Sequence, residues 1–128
     1  MRMERRAAIL LMAAALALAP AITAQAHHGW SWAEDEQTQL EGVIESISMS
    51  PPHPTLHVRD ARDVLWQVDL SNPRQTDRSG FTGDSASVGD AITVIGNRSL
   101  DASAAHMKAV RITIGGRNYD LYPERIAD

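Results

Sequence analysis

The residues of this chain with the richest chemistry are its five histidines, His27, His28, His53, His57 and His106. A neutral imidazole binds borderline transition metals through either ring nitrogen, and its proton comes and goes near neutrality. His27 and His28 directly follow Ala24-Gln25-Ala26, an A-x-A cleavage signal, so a cut after Ala26 makes His27 the mature N-terminus. The freed α-amine and the His27 imidazole then close a chelate on one ion. The His28 imidazole, or the amide between the two residues, supplies a third nitrogen. Nitrogen donors in a flat arrangement suit Cu(II) first and Ni(II) next, and copper also leads in intrinsic affinity. An α-amine has a reference pKa of about 7.7–8.0, so a metal displaces its proton readily near neutral pH.

His53 lies in Pro51-Pro52-His53-Pro54. Proline fixes φ, so this imidazole is presented from a stiff loop. His27, His28 and His53 are therefore the expected metal ligands, copper the expected ion, and the site requires that the N-terminal arm fold back on the domain. The bland reading is an exposed terminus and a rigid turn. His57 reads as a solvent-facing strand residue and His106 as part of the loop Asp101-Ala102-Ser103-Ala104-Ala105-His106; neither is assigned as a ligand.

Trp30 and Trp32, close to the paired histidines, fall on one side of the chain if the segment is extended. They either pack the arm or form a face for a protein or small-molecule partner. Glu34-Asp35-Glu36 reads as a solvated acidic run, with a lesser reading as carboxylates that orient the histidines. Asn97-Arg98-Ser99 matches a glycosylation sequon. No catalytic residues are assigned: there is no nucleophile elbow, no HExxH, no Gly-rich phosphate loop and no cysteine. A terminal copper site would gain redox reactivity only with coordination positions open to substrate.

What must position these residues begins with an exported leader. Arg2, Arg5 and Arg6 precede the apolar run Ala7 to Ala19, which Pro20 interrupts, and residues 1–26 read as a signal peptide. The run falls short of the roughly 20 apolar residues that span a bilayer, so no membrane anchor is expected after cleavage. Loss of Arg2, Glu4, Arg5 and Arg6 with the leader takes the formal charge from −4 to −6. That sign, with Lys108 the single lysine left, disfavours a nucleic-acid partner, which needs clustered cations. The expected location is periplasmic or secreted.

Residues 27–39 are polar and acidic and read as an arm. Residues 40–128 read as one β domain, with short apolar segments set between Gly, Pro, Asn and Asp. Over Asp63 to Leu70, Val64, Trp66, Val68 and Leu70 alternate with Leu65, Gln67 and Asp69, so one face is wholly apolar, which predicts a strand with that face in the core. Leu40 to Met49 breaks strict alternation around Gly42, as a bulge would. Thr55 to Asp60 is a shorter strand, with Leu56 and Val58 inward. Asn72 followed by Pro73 predicts a helix start, with the segment ending near Gly80. Ala91 to Gly96, Met107 to Ile114 and Arg117 to Tyr122 complete the pattern, the last two joined by Gly115-Gly116. Three strands, a helical link and two or three more strands match the OB-like barrel, with an SH3-like barrel or an open sandwich as rivals.

Taken together, His27-His28-Gly29-Trp30 after an exported leader, Leu40-Glu41-Gly42-Val43-Ile44, Pro52-His53, Trp66, Asn72-Pro73 and Val88-Gly89-Asp90 resemble a known pattern. It is that of the small exported bacterial proteins in the domain-of-unknown-function family 6152. Members tend to read His-His-Ser in the arm and Asn-Pro-His in the first loop; here Gly29 and Pro51 stand where Ser and Asn would be. The resemblance implies a bacterial periplasmic or secreted location and a role for the positions of His27, His28 and His53. It implies no activity. The expectation is an exported metal-binding domain, with a non-catalytic interaction module working through Trp30 and Trp32 as the alternative.

Overall fold

The computed structural model describes residues 29–127; the leader, His27 and His28 lie outside them. Contacts divide the chain between Ser31 and Trp32, which puts Trp32 with the barrel. The elements are β1 (Ala33–Ser48), β2 (Thr55–Asp60), β3 (Leu65–Asp69), helix α1 (Pro73–Arg78), β4 (Ala91–Ser99), β5 (His106–Ile114) and β6 (Arg117–Asp120). A 3-10 turn over Pro123–Arg125 follows.

The strands form one sheet in the order β3-β2-β1-β4-β5-β6, and an added parallel pairing of β3 with β5 closes it into a ring. This is an all-β OB-like barrel with its short helix between the third and fourth strands. Closure depends on β1, which pairs β4 through its first part and β2 through its second. Gly42 pairs in both ladders, and a Cβ there would strike the Arg59 carbonyl oxygen and Val58 Cγ1. The bulge expected near this glycine falls slightly later, between Ile44 and Ser46. Ile44, Leu56, Val58, Val68, Val94 and Ile112 fill the interior and are fully buried. Burial of each side chain of this kind contributes about 1.5–3 kcal/mol.

β1 begins at Ala33, so residues 33–39 are strand where the sequence reads as an arm. Their acidic run offers no apolar alternation, and their pairing with β4 is irregular between Ala33 and Gln37. Asn97 repairs that irregularity: its Nδ2 donates to the carbonyl oxygens of Glu34 and Asp35 at 2.9 and 3.2 Å. Asn97 is only 3% exposed, which removes the sequon from the accessible surface. At the β2–β3 hairpin, Val64 is outside the strand and 38% exposed, whereas Trp66, Val68 and Leu70 are buried as alternation predicts. The chain turns there with Asp63 at φ 68°, a left-handed conformation that Asp tolerates better than most residues.

The helix follows its sequence signals. The Asn72 side chain accepts from Gln75 N–H at 2.8 Å, Pro73 occupies the first turn, and Gly80 leaves the segment at φ 95°. Phe81 then enters the core and meets Tyr119 edge-on, with ring centroids 5.4 Å apart.

Candidate functional site

The parallel closure of β3 on β5 builds the site. Gln67 is registered with His106 and Asp69 with Lys108. Because Val68 and Met107 between them point into the core, all four of these side chains belong to the outer face of the barrel. An outer face is normally wet, yet Asp69 is 5% and Lys108 7% exposed. The covering groups come from elsewhere: Trp32 stacks on His106, His53 approaches Asp69, and Lys108 Nζ lies 5.5 Å from the centre of the Tyr122 ring.

At the centre is the Asp69 carboxylate. His106 Nε2 is 2.7 Å from Oδ2, and Gln67 Nε2 donates to Oδ1 at 3.0 Å. A carboxylate oxygen only accepts, so the hydrogen of this bond belongs to His106 Nε2. The Gln67 amide nitrogen, 3.4 Å from that same Nε2, is then a neighbour to it and directs its hydrogen to Asp69. His53 approaches from the other side, its Nε2 3.9 Å from Asp69 Oδ2. That separation is too long for a hydrogen bond. The other ring nitrogen of His53, Nδ1, lies 3.3 Å from the Pro54 carbonyl oxygen and 3.4 Å from Thr55 Oγ1. An Nδ1–H directed to the Pro54 carbonyl leaves the Nε2 lone pair facing Asp69.

Of the residues assigned from the sequence, His53 lies in the β1–β2 loop and is half-buried. His27 and His28 lie outside the described residues. Trp32 is a barrel residue, and Trp30 is on the other side of the division at Ser31. Residues 29–32 form a turn, so the extended spacing that would align the two indoles does not occur. His57 is half-buried on β2 and bonds Ser46 Oγ through Nδ1 at 2.9 Å.

His106 is the main correction: expected in a loop, it is the first residue of β5 and the partner of a buried carboxylate. Asp69 has no sequence signal of its own, being one more polar position within the alternating run. The carboxylate that holds an imidazole is thus Asp69, and Glu34-Asp35-Glu36 is part of β1. Among the described residues, no three His, Asp or Glu side chains stand ready-made around a metal position.

The site occupies the end of β3 between the β1–β2 and β4–β5 loops, the neighbourhood through which OB-type barrels bind their ligands. A separate shallow groove of about 490 Å³ lies at the far end of the strands, bordered by Glu41, Arg59, Asp60, Thr93 and Thr113. It contains no histidine. There Arg59 pairs with Glu45, which holds the Glu45 carboxyl below its ordinary value and raises the guanidinium.

Residues 15–108 match the profile described as Family of unknown function (DUF6152). The chain belongs to this family. The matched region takes in His27, His28, His53, Asp69 and His106. No functionally curated protein matches the sequence. Among solved structures, the barrel is similar to a chain in the crystal structure of the S. pombe Stn1-ten1 complex. The TM-score is 0.51 and the identity 19%, over 61% of this chain and 57% of that one. The present chain thus spans little more than half the length of that neighbour, and the likeness is one of fold.

Proposed function

We propose that this family member is an exported bacterial domain, released to the periplasm or the exterior by cleavage after Ala26, that binds copper through histidine. In this reading the α-amine and imidazole of His27, with His28, supply the flat nitrogen set that Cu(II) favours, and His53 adds a donor from the barrel. The observation that carries it is the position of His53: its Nε2 is turned toward a buried carboxylate, on the rim where OB-type barrels take ligands.

The test is native mass spectrometry of the protein recovered from the periplasm, followed by Cu(II) titration. The reading expects a mature mass starting at His27, one copper per chain, and loss of that copper in the His27→Ala/His28→Ala/His53→Ala variant. Full copper affinity in the triple variant would sink it.

A second reading, a non-catalytic interaction module, draws support from the apolar rim beside Trp32. Leu100 N–H donates to the Trp32 carbonyl at 2.9 Å, and the Leu100 side chain is 63% exposed. Binding of a protein or small-molecule partner in this case depends on Trp32 and Leu100 and survives the loss of the three histidines.

A further inference from the structure

We propose that the first half of β1 is a docking edge for an extended, lysine- or arginine-bearing segment of another protein, which joins the barrel as an added strand. This surface is separate from the histidines, so it stands or falls independently of the copper reading.

The edge follows from how one long strand serves two ladders. β1 pairs with β4 from Gln37 to Val43 without a break, but its ladder with β2 begins only at Gly42, opposite Asp60, where β2 ends. From Gln37 to Glu41, therefore, β1 has a neighbouring strand on one side alone among the described residues. Ile44 N–H donates to the Asp90 carbonyl at 2.9 Å, on the side of β4. Backbone direction alternates along a strand, so Gly42, Leu40 and Thr38 also bond toward β4, while Val43 turns to β2. Gln37, Gln39 and Glu41 then direct their N–H and C=O groups to the open side, where no other described group takes them up. The C-terminal 3-10 turn reaches Gln37 from the other flank, beside Ile95 of β4 and Arg111 of β5.

An unpaired edge of this kind is where an extended peptide adds to a sheet. Its charge selects the occupant. β1 carries Glu34, Asp35, Glu36, Glu41 and Glu45 and no lysine or arginine. Arg59 neutralises Glu45, but no described cation pairs with the other carboxylates, and Asp35, Glu36 and Glu41 are exposed. A second copy of this chain would bring the same carboxylates opposite one another, and like charges directly across a ladder repel. Cationic side chains meet them favourably, while the backbone hydrogen bonds set the direction and register of the added segment.

The test titrates the isotopically labelled full mature chain with a short peptide alternating lysine with threonine, read by amide shifts and hydrogen exchange. In the free chain, the amides of Gln37, Gln39 and Glu41 should exchange faster than those of Thr38, Leu40 and Gly42. With peptide they should slow at least about tenfold, an effect that weakens as salt is added. The peptide N-methylated at alternate residues, or carrying glutamate in place of lysine, should leave them unchanged. Gln39→Pro removes a donor from the open edge and none from the ladder with β4, so the fold should persist and the protection should vanish. Should that variant unfold by circular dichroism, Asp35→Lys/Glu36→Lys/Glu41→Lys carries the expectation, with peptide affinity down at least about tenfold. Equal exchange of the two sets of amides in the free chain, or no protection by the lysine peptide, overturns the proposal. So does equally tight binding of the N-methylated peptide, which would mean a contact of charge alone.

Discussion

The indole of Trp32 lies flat on the imidazole of His106, with centroids 4.0 Å apart and planes 10° from parallel. Trp32 immediately precedes β1 and His106 opens β5, and these strands are separated in the sheet by β4. The stack thus bridges a strand and fixes the ring plane in which His106 Nε2 meets Asp69. Stacked aromatic pairs contribute about 0.5–1.5 kcal/mol beyond the area they bury.

In Trp32→Ala, the His106 ring protons lose the shielding of the indole and move downfield in the proton NMR spectrum, and the urea midpoint falls by the equivalent of about 1 kcal/mol. Unchanged His106 resonances would show that the stack does not exist in solution.

Asp60 makes stability depend on acid. Its carboxyl is held below the ordinary value, chiefly because Trp66 Nε1 donates to Oδ2 at 3.0 Å, with further help from the Val64 and Arg62 amides on Oδ1. A depressed folded value means that this contribution is complete above the unfolded value of about 3.9 and is lost as pH falls through the lower folded one. Urea midpoints measured downward from pH 5 should therefore drop below pH 4, and Asp60→Asn should flatten that part of the curve. An identical acid limb in the two proteins would refute the assignment.

Gly96 has no room for a side chain. A Cβ there would overlap the Lys108 carbonyl oxygen and come within 3.1 Å of Ala109 Cα, on the strand that carries the site. Gly96→Ala should cost about 2–3 kcal/mol in chemical denaturation, as overpacking does. A cost under a few tenths would mean that β4 and β5 are less closely apposed than described.

Asn97 should escape modification even in a glycosylating host. Its amide is committed to the Glu34 and Asp35 carbonyls inside the barrel. Protein secreted from such a host should have the unmodified mass, with no change on glycosidase treatment; a glycan on Asn97 would require β1 to open.

Much of the barrel is legible from residues alone. Leu56, Val58, Trp66, Val68 and Leu70 alternate because their strands are wet on one face, and Asn72-Pro73 announces the helix. The start of β1 is hidden because Glu34, Asp35 and Glu36 have no apolar partner to alternate with, and what holds them is a side chain from Asn97. In the site, His53 is conspicuous between two prolines. His106 is not, since its meaning comes from a buried acid 37 positions earlier. Local pattern carries no information on the register of a parallel pair. The one available clue was the barrel topology itself, which requires β3 to meet β5 but leaves open which residues face each other.

The parallel seam between β3 and β5 also sets an order of events. The pairs β1–β2 and β2–β3 are hairpins of close neighbours, whereas the seam joins Gln67 to His106 across the helix and all of β4. Contacts so distant along the chain bear the entropy of a large loop and form late. The imidazole, the carboxylate and the covering indole therefore come together only when the ring shuts. A nascent chain that has made its first hairpins has not yet assembled this cluster, which belongs to the closed ring alone.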